Sequence, residues 1–352
     1  MCRTMEYYRD GDGKKPAIEM ITTNRFRRRS FSYMHTMHPL SIKCTLKGAK
    51  CDCINQILVR RRKLERFKER NIMKRNHTLS EKHPLLSMLL SVAAATFVCM
   101  LAGSIRASDF VQYLLMSAAG VLCLLAQKWW FAPAFKGVFR AEIPLREIGL
   151  LCIPFLIQLL LSWLLNVMDH GLFFHATALS VAMALSAGFS EEVMFRGLSI
   201  PIGMRYFKGK NKILTVALVT SVVFGLSHLG NAKGGNAIGI VQGIVTIGTG
   251  LFYAAVFLRT GSIMVTIIMH ALYDWMYFVT NPALQNGDMA AMGVTTAVII
   301  SSVIDLSMGV VGFWLIRPAV REKIEAVWQK KWDFADSDDG TDIGVRQYQP
   351  KH

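Results

Sequence analysis

Apolar residues in this chain fall into long blocks, not into periodic stripes. The blocks lie near 85–105, 110–127, 148–168, 173–195, 213–229, 236–258, 262–280 and 291–316. A helix needs about 20 apolar residues to cross the hydrocarbon core of a bilayer, and these blocks are of that order. In lipid every backbone N–H and C=O must be satisfied internally, so such blocks are read as helices. The pattern predicts an all-α, polytopic transmembrane helical bundle of about eight spans with a basic N-terminal tail.

Charge changes the picture at the ends. Residues 1–83 carry 21 Lys and Arg against 8 Asp and Glu, which is +13 of the chain's formal +16. Arginine runs such as "RFRRRS" and "LVRRRKLERFKERNIMKR" before a first span hold that end in the cytoplasm. No nucleic-acid recognition module accompanies the charge, so a nucleic-acid partner is not expected. Residues 1–83 are read as a poorly ordered cytoplasmic tail with a short basic helix near 57–72, residues 84–316 as the bundle, and residues 317–352 as a cytoplasmic C-terminal tail. In that last tail "EKIEAVWQKKWDF" predicts a short amphipathic helix ahead of the solvated "ADSDDGTD". Met73 opens "MKRNHTLSEKHPLL", itself a plausible start for a membrane protein, so residues 1–72 are either a real tail or an extended gene start.

The loops between blocks point the same way. One side holds Lys128, Lys136, Arg140 and Arg146, then Arg205, Lys208, Lys210 and Lys212, then Arg259, then Arg317 and Arg321; the other holds only Arg106 and Lys233. The positive-inside bias then puts both termini in the cytoplasm of an integral membrane protein, with a bacterial plasma membrane the favoured location. No cleavable signal is expected, since no apolar core precedes residue 85. The seven cysteines outline no disulfide framework, and "CDC" at 51–53 lacks the second pair a zinc finger needs.

Against this apolar background "SEEVMFRG", residues 190–197, is out of place. An ionisable group at mid-bilayer depth costs on the order of 2.5–3.5 kcal/mol and is by default a functional candidate. Such groups gather on three spans: Glu191, Glu192 and Arg196 on the fourth, His228 on the fifth, His270 and Asp274 on the seventh. At about 100° per residue, Arg196 sits about 40° around the helix from Glu192 and about 140° from Glu191. Arg196 therefore pairs with Glu192 as a structural ion pair, and Glu191 is left free to act as a base.

Spacing predicts how the three spans meet. A turn near residue 209 or 210 lies 18 or 19 residues from both Glu191 and His228, so an antiparallel hairpin brings them level. Phe224 lies one turn before His228, where it can pack under the imidazole, and His270 shares a face with Asp274. Depth is less simple. His270 lies about 14 Å past Gly261 and His228 about 24 Å past Lys212 by helical rise, so tilt or a projecting hairpin must absorb about 10 Å. Gly235, Gly239 and Gly243 predict close helix packing, and Asp305 is read as a satisfied buried polar residue.

"EEVMFR" at 191–196, "FGLSH" at 224–228 and "HALYD" at 270–274 resemble, in order, the EExxxR, FxxxH and HxxxN or HxxxD pattern of the CPBP intramembrane proteases. That family includes the CAAX prenyl endopeptidases and bacterial self-immunity proteins, and the resemblance covers about 145–285. It implies an intramembrane endopeptidase without a cofactor, acting on a peptide or membrane-anchored protein, lipidated or not, at the bilayer. It also implies that Glu191 and His228 activate water while His270 and Asp274 bind the oxyanion. Members with prenyl substrates typically carry Asn where this chain has Asp274.

Other readings stay open at this level. Glu191, His228, His270 and Asp274 are all competent zinc ligands, and a zinc-dependent version of the protease would use Glu191, His228 and His270. A proton-coupled transporter could use the same residues as a relay, and a non-catalytic immunity protein could keep them for structure.

Overall fold

Eight helical stretches long and apolar enough to cross a membrane stand where the eight blocks predict them. They are seen in a computed structural model that describes residues 78–332 except 133, 236 and 285–293. The described residues all lie in one compact unit, Glu65–His352. The predicted basic helix near 57–72 and the acidic end after residue 332 fall outside the described residues. We number the helices α1 Pro84–Gly103, α2 Asp109–Trp130, α3 Leu145–His170, α4 Ala178–Glu192, α5 Ser199–Tyr206, α6 Lys212–His228, α7 Ala237–Thr260, α8 Ile263–Thr280, α9 Thr296–Leu315 and α10 Arg321–Lys331. Among the described residues there is no strand, only an isolated bridge between Phe135 and Trp332. The chain is an integral membrane protein.

Burial follows from lipid as solvent. α3 leaves Leu150, Ile153, Leu156, Ile157, Leu160 and Leu164 exposed on its outer face, as a helix against acyl chains should. α7 is the opposite case: from Leu251 to Leu258 every side chain is 2% exposed or less. It runs through the middle of the bundle with α6 and α9 on either side, while α4 packs on α8 and α2.

Small residues set how closely these helices approach. A Cβ added to Gly188 of α4 would lie 2.7 Å from the Ala271 backbone nitrogen, and one on Gly248 of α7 would lie 2.7 Å from the Leu306 carbonyl oxygen. Two glycines of the repeat predicted to pack do so: a Cβ on Gly239 would meet the backbone of Asn231 and Ala232 at 2.4 Å, and one on Gly243 the Leu229 side chain at 2.5 Å. We expect Gly188→Ala to lower stability by about 1–3 kcal/mol, the usual cost of overpacking. Gly149→Ala, with nothing within 4 Å, should leave the unfolding temperature in detergent unchanged or raised. Equal melting of the two variants would contradict the close approach of α4 and α8.

The fourth span is longer than its apolar block suggests. After α4 the chain makes a wide π turn over Val193–Gly197, with Leu198 N–H donating to the Val193 carbonyl five residues back, and then continues as α5 to Tyr206. Ala178–Tyr206 is thus one 29-residue span. This accounts for the depth mismatch: Tyr206 lies about 22 Å beyond Glu191 by helical rise, whereas Ile263 lies only about 10 Å from His270. The α5–α6 hairpin projects, and the α7–α8 turn is short, closed by Gly261 at φ 68.

The amphipathic helix near the C-terminus is α10. Trp328 Nε1 donates to the Leu258 carbonyl at the end of α7, and Lys136 N–H donates to the Lys331 carbonyl. Lys331 itself is buried, 3.4 Å from Glu142. Burial pulls its ammonium below the ordinary lysine range, and Glu142 opposes that pull.

Candidate active site

The predicted polar residues of α4, α6 and α8 meet. α4 starts on Thr177, whose side chain accepts from Ser180 N–H while Ser180 Oγ accepts from Thr177 N–H, a capping box that fixes the first turn. Between Ser180 and Glu192 the buried residues of α4 are Ala182, Met183, Ala184, Ser186, Gly188 and Ser190, all small but Met183. Side chains this small let α8 lie close enough for the glutamates that follow to reach His270.

Arg196 Nη1 donates to Glu192 Oε1 at 2.9 Å, and both side chains are fully buried. The π turn did not separate the pair that spacing predicted. Glu192 does more than hold the arginine, because the same Oε1 lies 3.1 Å from His270 Nδ1. A carboxylate accepts, so His270 Nδ1 is the donor. Sequence reasoning missed this second bond; nothing local signals a partner 78 residues away. The Arg196 guanidinium also stacks 4.0 Å over the Phe224 ring.

His228 is held in a matching way. Its Nδ1 lies 2.9 Å from the Phe224 carbonyl oxygen; a carbonyl also accepts, so Nδ1 carries the proton. The Phe224 ring meets the imidazole edge to face at 4.6 Å, the packing expected one turn before His228. In each histidine Nδ1 is tied to the protein, which fixes the tautomer of a neutral ring and leaves Nε2 to face the cavity.

Both Nε2 atoms converge on Glu191. Its Oε2 lies 3.7 Å from His228 Nε2 and 3.7 Å from His270 Nε2. That oxygen is buried and has no hydrogen-bond partner among the described residues. Asp274 Oδ2 stands 3.5 Å from His270 Nε2. The four residues line a cavity of about 290 Å³. Among the described residues no set of three or more His, Cys, Asp or Glu side chains has the arrangement of a metal site.

The cavity extends beyond the motifs. Asp305 on α9 lines its far wall, where its Oδ1 accepts from Gln158 Nε2 at 2.8 Å and Tyr273 OH at 2.6 Å. It is satisfied, as its isolated position in the sequence suggested, yet it faces the same cavity as Glu191. Gln242, Thr246, Thr249 and Tyr253 also line the cavity. They recur at four-, three- and four-residue steps along α7, a polar stripe on one helix face that periodicity could have found.

Residues 173–276 match the model of the family described as type II CAAX prenyl endopeptidase Rce1-like. All three motifs fall within the match, and α9 with its wall residues lies beyond it. No curated protein and no solved structure matches the chain.

Proposed function

We propose, for a chain whose residues 173–276 match the Rce1-like family of type II CAAX prenyl endopeptidases, that it is an intramembrane endopeptidase using Glu191 and His228 to activate water. One observation carries this reading: Glu191 Oε2 meets two imidazole Nε2 atoms at 3.7 Å whose Nδ1 atoms are both engaged elsewhere. A water about 2.8 Å from Glu191 Oε2 and His228 Nε2 would donate to both. As its oxygen adds to the peptide carbonyl carbon, its proton passes to the Glu191 carboxylate and the carbonyl π pair moves onto oxygen.

That oxyanion accepts from His270 Nε2, protonated at both nitrogens in this complex and paired with Glu192 at Nδ1. Asp274 beside Nε2 then orients the ring and balances its charge, which needs no proton on Asp274. Collapse breaks the C–N bond as Glu191 returns its proton to the departing amine. A positioned general base contributes about 10²–10⁴-fold and an oxyanion donor about 10²–10³-fold.

The substrate class is a peptide or membrane-anchored protein, lipidated or not. Incubating purified protein with two quenched-fluorescent CAAX peptides, one farnesylated and one bare, should produce a new peptide terminus from at least one. Failure with both, and with a panel of membrane-protein tails, contradicts the reading and favours a non-catalytic role.

We also propose that the termini and the loops near 136 and 208 face the cytoplasm. A cysteine replacing Lys208 should resist an impermeant thiol reagent applied to intact cells and react after permeabilisation. Ready labelling from outside would overturn the orientation.

A further inference from the structure

Among the polar groups lining the cavity that neither the motifs nor the mechanism above uses is the hydroxyl of Tyr253. Tyr253 lies on α7, outside the three motif helices, and is 2% exposed. Its ring lies against His270, with centroids 5.5 Å apart and planes tilted by 33°. The hydroxyl has no hydrogen-bond partner among the described residues, although Tyr253 lines the cavity. Buried tyrosine hydroxyls are nearly always bonded. A donor in this position is one that a ligand completes.

Its surroundings indicate which part of the ligand. Tyr253 shares its cavity with Glu191, His228, His270 and Asp274. Asp274 is also the carboxylate 3.5 Å from His270 Nε2. The side chains of Tyr253 and His270 therefore line one cavity while their rings lie against each other. Two donors so arranged suit two lone pairs of a single oxygen.

Resting on the endopeptidase reading, we infer that Tyr253 is a further catalytic residue, whose hydroxyl donates to the carbonyl oxygen of the scissile peptide alongside His270 Nε2. The hydrogen bond strengthens as the carbonyl π pair moves onto oxygen; the tyrosine keeps its proton throughout, so the proton transfers through Glu191 are unchanged. A donor that bonds more strongly in the transition state than in the ground state acts on kcat.

Tyr253→Phe tests this, since Phe keeps the ring against His270 and removes only the oxygen. The variant is assayed beside wild type and Glu191→Gln on the peptide that wild type cleaves, with thermal unfolding in detergent measured on all three. The inference predicts a kcat about 10²-fold lower, a KM within about twofold and unfolding temperatures that agree. A purely structural tyrosine would leave kcat alone or lower the unfolding temperature. Wild-type kinetics in Tyr253→Phe, a change confined to KM, or loss of the fold would each overturn the inference and leave the endopeptidase reading intact if Glu191→Gln is inactive. If Glu191→Gln cleaves as wild type does, the reading fails and this inference with it.

Discussion

Glu191→Gln should fold and lose nearly all cleavage. The amide keeps the shape of the carboxylate, and Glu191 is the motif glutamate not paired with Arg196, with no hydrogen-bond partner at Oε2 among the described residues. What the substitution removes is the ability to accept a proton from water between Glu191 and His228. A lost general base costs at least about 10²-fold in rate. His228→Ala and His270→Ala should each cost at least as much, and their losses should not add, because the groups act on one water and one carbonyl. A scaffold or immunity protein would tolerate Glu191→Gln in whatever assay reports its role. Unfolding temperature and single-turnover cleavage of the same preparation separate the cases: a variant that melts like wild type and cleaves at more than about a tenth of its rate would remove Glu191 from the chemistry.

Arg196→Ala should do the reverse, losing the fold first. Arg196 and Glu192 are fully buried and 2.9 Å apart, and removing one partner of a buried pair leaves an uncompensated charge at a cost of about 3–5 kcal/mol. The loss extends to packing, since the guanidinium stacks on Phe224, which in turn supports His228. The folded fraction recovered from membranes should fall well below that of Glu191→Gln. Replacing both partners, with Glu192→Gln and Arg196→Met together, should recover much of the folded amount, because no charge is stranded. It should not recover cleavage, because His270 Nδ1 loses the carboxylate that holds it. Equal accumulation of Arg196→Ala and Glu191→Gln would contradict the structural assignment of the pair.

The contrast between these residues was readable from the sequence because it rests on local geometry. Helical angle alone separates Glu191 from Glu192 relative to Arg196, and a four-residue step alone puts Phe224 under His228. The spans were readable for a similar reason, since lipid imposes composition on every outward face. The π turn at Val193–Gly197 was not, because apolar residues satisfy a wide turn as well as a regular one. Beyond it the fourth span continues as α5 to Tyr206, and that extra length absorbs the depth mismatch that regular spans left. Contacts between distant elements were also out of reach. Glu192 to His270 and Asp305 to Gln158 and Tyr273 depend on the rotation of helices about their axes, which no single span records. Tyr253 sits inside "GLFYAAVF", an apolar run in which one hydroxyl hardly registers; only its step from Gln242, Thr246 and Thr249 marks its face.

In the proposed mechanism a carboxylate and two histidines hydrolyse a peptide bond at this site, with Glu191 as the base for water. Glu191, His228 and His270 also supply the donor types that zinc takes, so one measurement bears most directly on the claim: the metal content and the cleavage rate of the same purified protein, before and after treatment with a chelator. The account predicts cleavage at an undiminished rate from protein carrying well under one equivalent of metal. Stoichiometric zinc, with cleavage abolished by chelation and restored by zinc alone, would contradict it and assign the same three side chains to a metal.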